Sequence, residues 1–81
     1  MTQEQEKALA EKYGADSEDD LKRGGGWKSY ELGGRKIWQA ARLGVGVFWV
    51  SAFIKDDRYQ GHMQHENLQD AFDYCVNYPA K

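Results

Sequence analysis

With 81 residues, 41% of them hydrophobic and 30% charged, the chain can bury one small core and has no room for a second domain. The formal net charge of -2 hides an uneven spread: residues 1–20 carry seven acids and two bases, whereas residues 21–42 carry six bases and one acid. A single cysteine, Cys75, excludes an internal disulfide or a thiolate metal cage, and no apolar run approaches membrane-spanning length.

The first residues, Met-Thr-Gln-Glu-Gln-Glu, have neither the basic start nor the apolar stretch of a signal peptide, so the sequence predicts a soluble cytoplasmic protein with no membrane association. Thr2 and Gln5 have the form of a capping box for a helix over residues 3–13, with Glu4 and Glu6 near its positive end and Gly14 as a left-handed stop. Asp16 or Ser17 can then cap a short second helix running to Arg23, anchored only by Leu21. Gly24, Gly25 and Gly26 follow as a flexible joint. They are not a phosphate loop, because Trp27-Lys28-Ser29 opens a strand and not a helix.

Gly33-Gly34 is a two-residue hairpin turn, since both glycines can take positive φ. It joins strands over 27–32 and 35–42 and sets Tyr30 opposite Ile37 and Ser29 opposite Trp38. A second turn at Leu43-Gly44 leads into the most apolar stretch, residues 45–54, whose odd and even positions are both hydrophobic. With an even loop, one face holds Tyr30, Leu32, Ile37, Phe48, Val50, Ala52 and Ile54. The other then holds all three tryptophans, Trp27, Trp38 and Trp49, with Ser51, Phe53, Lys36 and Arg42. A three-residue loop would instead exchange Trp49 with Phe48.

Asp56-Asp57 makes a polar turn, and residues 58–64 either pair as a fourth strand or run as a loop, with Gly61 counting against the strand. Asn67 and Asp70 fit a cap for a last helix whose residues Leu68, Ala71, Phe72, Cys75 and Val76 form an amphipathic stripe ending before Pro79. That stripe suits the face of Tyr30, Ile37 and Val50. The expected fold is α+β: one domain over 1–81, with an acidic helical arm (1–23), a glycine joint (24–26), and a three-stranded antiparallel meander, with an optional fourth strand, carrying a C-terminal helix on one sheet face (27–81).

No motif for catalysis, cofactor or metal binding emerges. His62 and His65 lie three apart in a polar connection and read as exposed loop residues, lacking two further ligands. Cys75 sits on the apolar stripe and reads as core, with an ordinary or raised pKa. An aromatic face rimmed by charge marks a binding surface, so Trp27, Trp38, Trp49, Lys36 and Arg42 are the candidate contact residues. The acidic Glu18, Asp19 and Asp20 join them, directed at a basic partner such as a nucleic-acid-handling complex. Aromatic sheets with basic neighbours also stack single-stranded bases, which is the alternative.

The order helix, meander, helix resembles the double-stranded RNA-binding domain. Where that family opens its last helix with lysines on phosphate, however, this chain reads Glu66-Asn67-Leu68-Gln69-Asp70, which argues against duplex RNA. In size, acidity and mixed α/β layout the chain resembles the small phage-encoded inhibitors of bacterial defence, anti-CRISPR proteins among them, without a shared motif. That resemblance implies a viral, non-catalytic inhibitor that occupies a protein partner's surface. Charges flanking the Asp56-Asp57 turn, Lys55 and Arg58, discourage edge-to-edge joining and favour a monomer over a homodimer.

Overall fold

The computed structural model describes residues 2–20 and 27–78; the side chains of Gln3, of residues 17–20, and of Trp27 and Lys28 fall outside that description. Helices α1 (Gln3–Tyr13) and α2 (Leu68–Asn77) bracket five strands: β1 (Asp16–Asp20), β2 (Trp27–Leu32), β3 (Arg35–Arg42), β4 (Gly46–Lys55) and β5 (Arg58–His65). The strands form a single antiparallel sheet in chain order. The fold is therefore α+β. Strands β2 to β5 make the meander, and the fourth strand does pair, running one residue past its expected end.

Residues 16–20 correct the sequence reading. They form β1 and not a second helix, so among its described residues the acidic arm is helical only over Gln3–Tyr13, and the sheet gains a fifth strand. As a helix this segment would have had one apolar anchor. As a strand it satisfies its backbone groups along the free side of β2, in a register that sets Asp19 opposite Lys28 and Glu18 opposite Ser29. The expected glycine joint at residues 24–26 lies outside the described residues.

Both helix starts follow their sequence signals. The Gln5 amide donates to Thr2 Oγ1 at 3.2 Å while the Thr2 amide donates to Gln5 Oε1 at 2.8 Å, and Gly14 closes α1 at φ 70. In α2 the Asp70 amide donates to Asn67 Oδ1 at 2.9 Å. Pro79 lies outside the described residues; the helix ends at Asn77, and the Tyr78 amide donates to the Tyr74 carbonyl at 2.8 Å.

The Gly33-Gly34 turn forms with both φ positive, and Tyr30 pairs with Ile37 and Ser29 with Trp38 as expected. The second turn is one residue longer than a simple Leu43-Gly44 pair. The Val45 amide donates to the Arg42 carbonyl at 3.0 Å across Gly44 (φ 82), and Gly46 (φ 94) re-enters the sheet opposite Arg42. Three residues thus separate the strands, and β4 presents its alternate face. Trp49, Ser51 and Phe53 now share a side with Tyr30, Leu32 and Ile37; Phe48, Val50, Ala52 and Ile54 share the other with Trp38, Lys36 and Arg42. The expected gathering of Trp38 with Trp49 is overturned by this odd loop.

α2 lies on the Tyr30, Ile37 and Trp49 side, not on Val50. Leu68, Ala71, Phe72 and Cys75 are fully buried there, whereas Val76 points away. The Tyr30 ring meets Phe72 edge-on at 5.4 Å and Trp49 at 6.0 Å. α1 closes the same side through Ala10 and through Tyr13, whose ring lies 5.3 Å from Phe72 and whose hydroxyl donates to Asp73. Each large side chain so buried contributes about 1.5–3 kcal/mol, in a domain whose total stability is on the order of 4–12 kcal/mol.

At the other end of β4, Asp56 and Asp57 take positive φ, 54 and 61, between the paired Lys55 and Arg58. Aspartate tolerates this region, but a Cβ there still costs about 1–2 kcal/mol. Asp57→Gly is expected to raise unfolding stability by roughly 1 kcal/mol in urea titration.

Candidate functional site

Ala52 is the centre of the second sheet face. Its small side chain lets rings from the strands on either side meet above it, and it is wholly buried although no described helix covers this face. Trp38 from β3 lies 5.2 Å from the Tyr59 ring and 5.9 Å, edge-on, from His62, both on β5; Tyr59 and His62 are 6.2 Å apart. Trp38 is half-buried, His62 is exposed and Tyr59 is 49% exposed, so the cluster presents an edge to solvent.

Tyr59 and His62 would face opposite sides of a regular strand. A bulge brings them together: Ala52 pairs with His62 but Phe53 pairs with Gln60, leaving Gly61 as the extra residue at φ 61. The glycine that weighed against a strand is thus what shapes it.

Around this cluster lie Lys36, half-buried, and the exposed Ile54 and Gln64. The face continues into a projecting ribbon. Among the described residues, β2 pairs with β3 only as far as Ser29 and Trp38, and β5 joins β4 only from Trp49 and His65, so residues 40–48 pair with each other alone. Its tip exposes Leu43 completely, with Val45 at 66%, beside Arg42, while Val47, 60% exposed, is on the ribbon's other side with Trp49.

Of the candidate contact residues, the structure brings together Trp38 and Lys36 on one face, with Arg42 further out on the ribbon. Trp49 leaves the set: it is 6% exposed in the helix-covered core. The side chains of Trp27, Glu18, Asp19 and Asp20 lie outside the described residues; their backbones set the three acids on the edge strand and Trp27 opposite Asp20. Arg35 lies on the helix side, 5.4 Å from the Phe53 ring and 5.1 Å from Tyr74, and its Nε donates to the Tyr78 carbonyl at 2.9 Å. Tyr59 and His62 were missed, and their signal was an i, i+3 aromatic pair spanning a glycine.

His65 corrects the reading of both histidines as loop residues. Both stand in β5, and His65 is buried on the helix side with Nε2 2.8 Å from Ser51 Oγ. Burial holds its imidazole below the ordinary value, with Asp70 pulling it up and Arg35 pressing it down. Burial likewise pushes the Cys75 thiol up, against the lowering influence of Arg35 and of a hydrogen bond from Ser51. These three polar groups are locked in the interior. Among the described residues no group of three or more His, Cys, Asp and Glu side chains could hold a metal ion.

Comparison with protein-family models, with curated proteins and with solved structures returned no match.

Two substitutions separate the faces. Trp49→Ala is expected to cost about 3–5 kcal/mol in chemical denaturation, and Trp38→Ala markedly less. Gly61→Ala, which strains the bulge, is expected to cost about 1–2 kcal/mol and to weaken the contact of Tyr59 with Trp38, read from ring NMR shifts.

Proposed function

We propose that this chain is a non-catalytic binding protein that acts stoichiometrically by occupying the surface of a protein partner. The observation that carries the reading is the one-sided sheet: among the described residues, helices cover the Trp49 side, while the Trp38, Tyr59 and His62 cluster lies partly exposed on the other and runs into an apolar ribbon tip. Such aromatic groups supply most of the energy at protein interfaces. Burial of Ser51, His65 and Cys75 supports the non-catalytic reading, because a substrate cannot reach them.

The acidic β1 borders the sheet, and four acids in five residues suit a basic partner. In its narrower form the proposal is inhibition of a bacterial defence complex that handles nucleic acid, by a phage-encoded cytoplasmic protein. It acts as a monomer in this reading, since β5 pairs along β4 and covers the edge of the core strand. A second reading, a module for single-stranded nucleic acid, is favoured by the same aromatic cluster beside Lys36 and by Arg42 along the face.

Affinity capture from a bacterial lysate with the intact protein as bait separates these readings. A partner retained by the wild type is expected to be lost on Trp38→Ala with Tyr59→Ala, a change of at least about 30-fold if each ring acts as a hot spot, and weakened when Glu18, Asp19 and Asp20 are replaced by lysine. Capture unchanged by both sets overturns the first reading. A gel shift with single-stranded DNA or RNA at low salt that fades as salt rises supports the second, and no shift ends it.

A further inference from the structure

The joint between β5 and α2 holds a buried polar chain that the open face does not use. His65 is the last residue of β5, and its ring turns beneath α2 to meet Ser51 at 2.8 Å. Ser51 is fully buried on β4, on the side of the sheet that α2 covers with the equally buried Cys75. The Tyr74 ring lies 5.3 Å away, and Trp49 is paired across from His65 on β4. The charged and titratable groups around the imidazole are Arg35 from β3 and Asp70, Tyr74 and Cys75 from α2. β4 contributes Ser51 and Trp49, which do not titrate, and Glu66 follows in the chain.

A neutral imidazole can accept from the Ser51 hydroxyl or donate to it, whereas an imidazolium can only donate. Protonation therefore forces one arrangement of the chain and places a cation in a buried site already near Arg35. Asp70 opposes this, but from the N-terminal turn of a helix, where its charge is also drawn to the helix dipole.

We propose that His65 is a pH-sensitive latch, whose protonation releases α2 from the sheet. Because burial depresses the folded-state value, the neutral form stabilises the docked helix above the unfolded value near 6.5, and that stabilisation is lost as pH falls below it. The helix is the element that responds. It holds the sheet through one stripe of four buried residues, while the strands hold one another through continuous ladders.

The test is amide hydrogen exchange by NMR between pH 7.5 and 5, corrected for intrinsic rates, on the wild type and on His65→Gln, which keeps a hydrogen-bonding group and does not titrate. In the wild type, exchange of α2 amides is expected to accelerate by up to roughly tenfold per unit below 6.5, ahead of the β3 and β4 amides. In His65→Gln that acceleration is expected to vanish. Acceleration that persists in the variant, or that rises equally in helix and sheet, overturns the latch. Direct titration of the His65 ring in the wild type gives an independent reading should the variant not fold: a midpoint at or above 6.5 overturns the proposal as well.

Discussion

The three residues between Arg42 and Gly46 decide which molecule this sequence makes. Strand side chains alternate with a period of two, so an odd loop and an even loop send opposite halves of β4 toward the helices. The odd loop places Trp49 against Tyr30 and Ser51 against His65, and leaves Val50 and Ala52 on the far side. An even loop would drive Ser51 out of the interior and strand His65 without its partner, a loss of about 1–3 kcal/mol for a buried polar group. Gly44 and Gly46 hold the choice, because both sit at φ values that other residues adopt only with strain.

Given that facing, α2 is held at three points of different chemistry. Phe72 and its neighbours supply apolar burial in the middle. Near α1, Tyr13 donates to Asp73 while Gln69 Nε2 donates to the Tyr13 hydroxyl at 2.6 Å, so two helices with few shared apolar contacts are joined by a polar clasp. At the C-terminal end the helix has no basic residue in its last turn, and Arg35 takes that place from β3. Its guanidinium sits between two aromatic rings and bonds the carbonyl that follows the helix, bringing positive charge to the negative end of the dipole.

Much of this was legible in the sequence wherever a local signal has a single structural meaning. The Thr2 and Gln5 box, Gly14, the Gly33-Gly34 turn with its register, the Asn67 cap and the buried stripe through Cys75 all stand as read. What could not be read depended on partners distant in the chain. Residues 16–20 have strong acidity and weak propensity, and only the free edge of β2 makes them a strand. The facing of β4 turned on one residue of loop length, and the clue was a second glycine, Gly46, two positions after the first. With β4 reversed, the candidate site changed membership: Trp49 left it, and Tyr59 and His62 entered through a bulge that a lone glycine in a strand can signal as readily as a break.

The ribbon of residues 40–48 governs how this chain can vary. Since, among the described residues, these pair only with one another, equal additions to both strands lengthen the arm and leave the pairing of Trp38 with Val50, and everything beneath it, untouched. An unequal addition of a single residue slips the register and turns the core outward. The tip is thus a modular end, free to be extended, shortened or replaced by symmetric steps while the domain behind it stays the same.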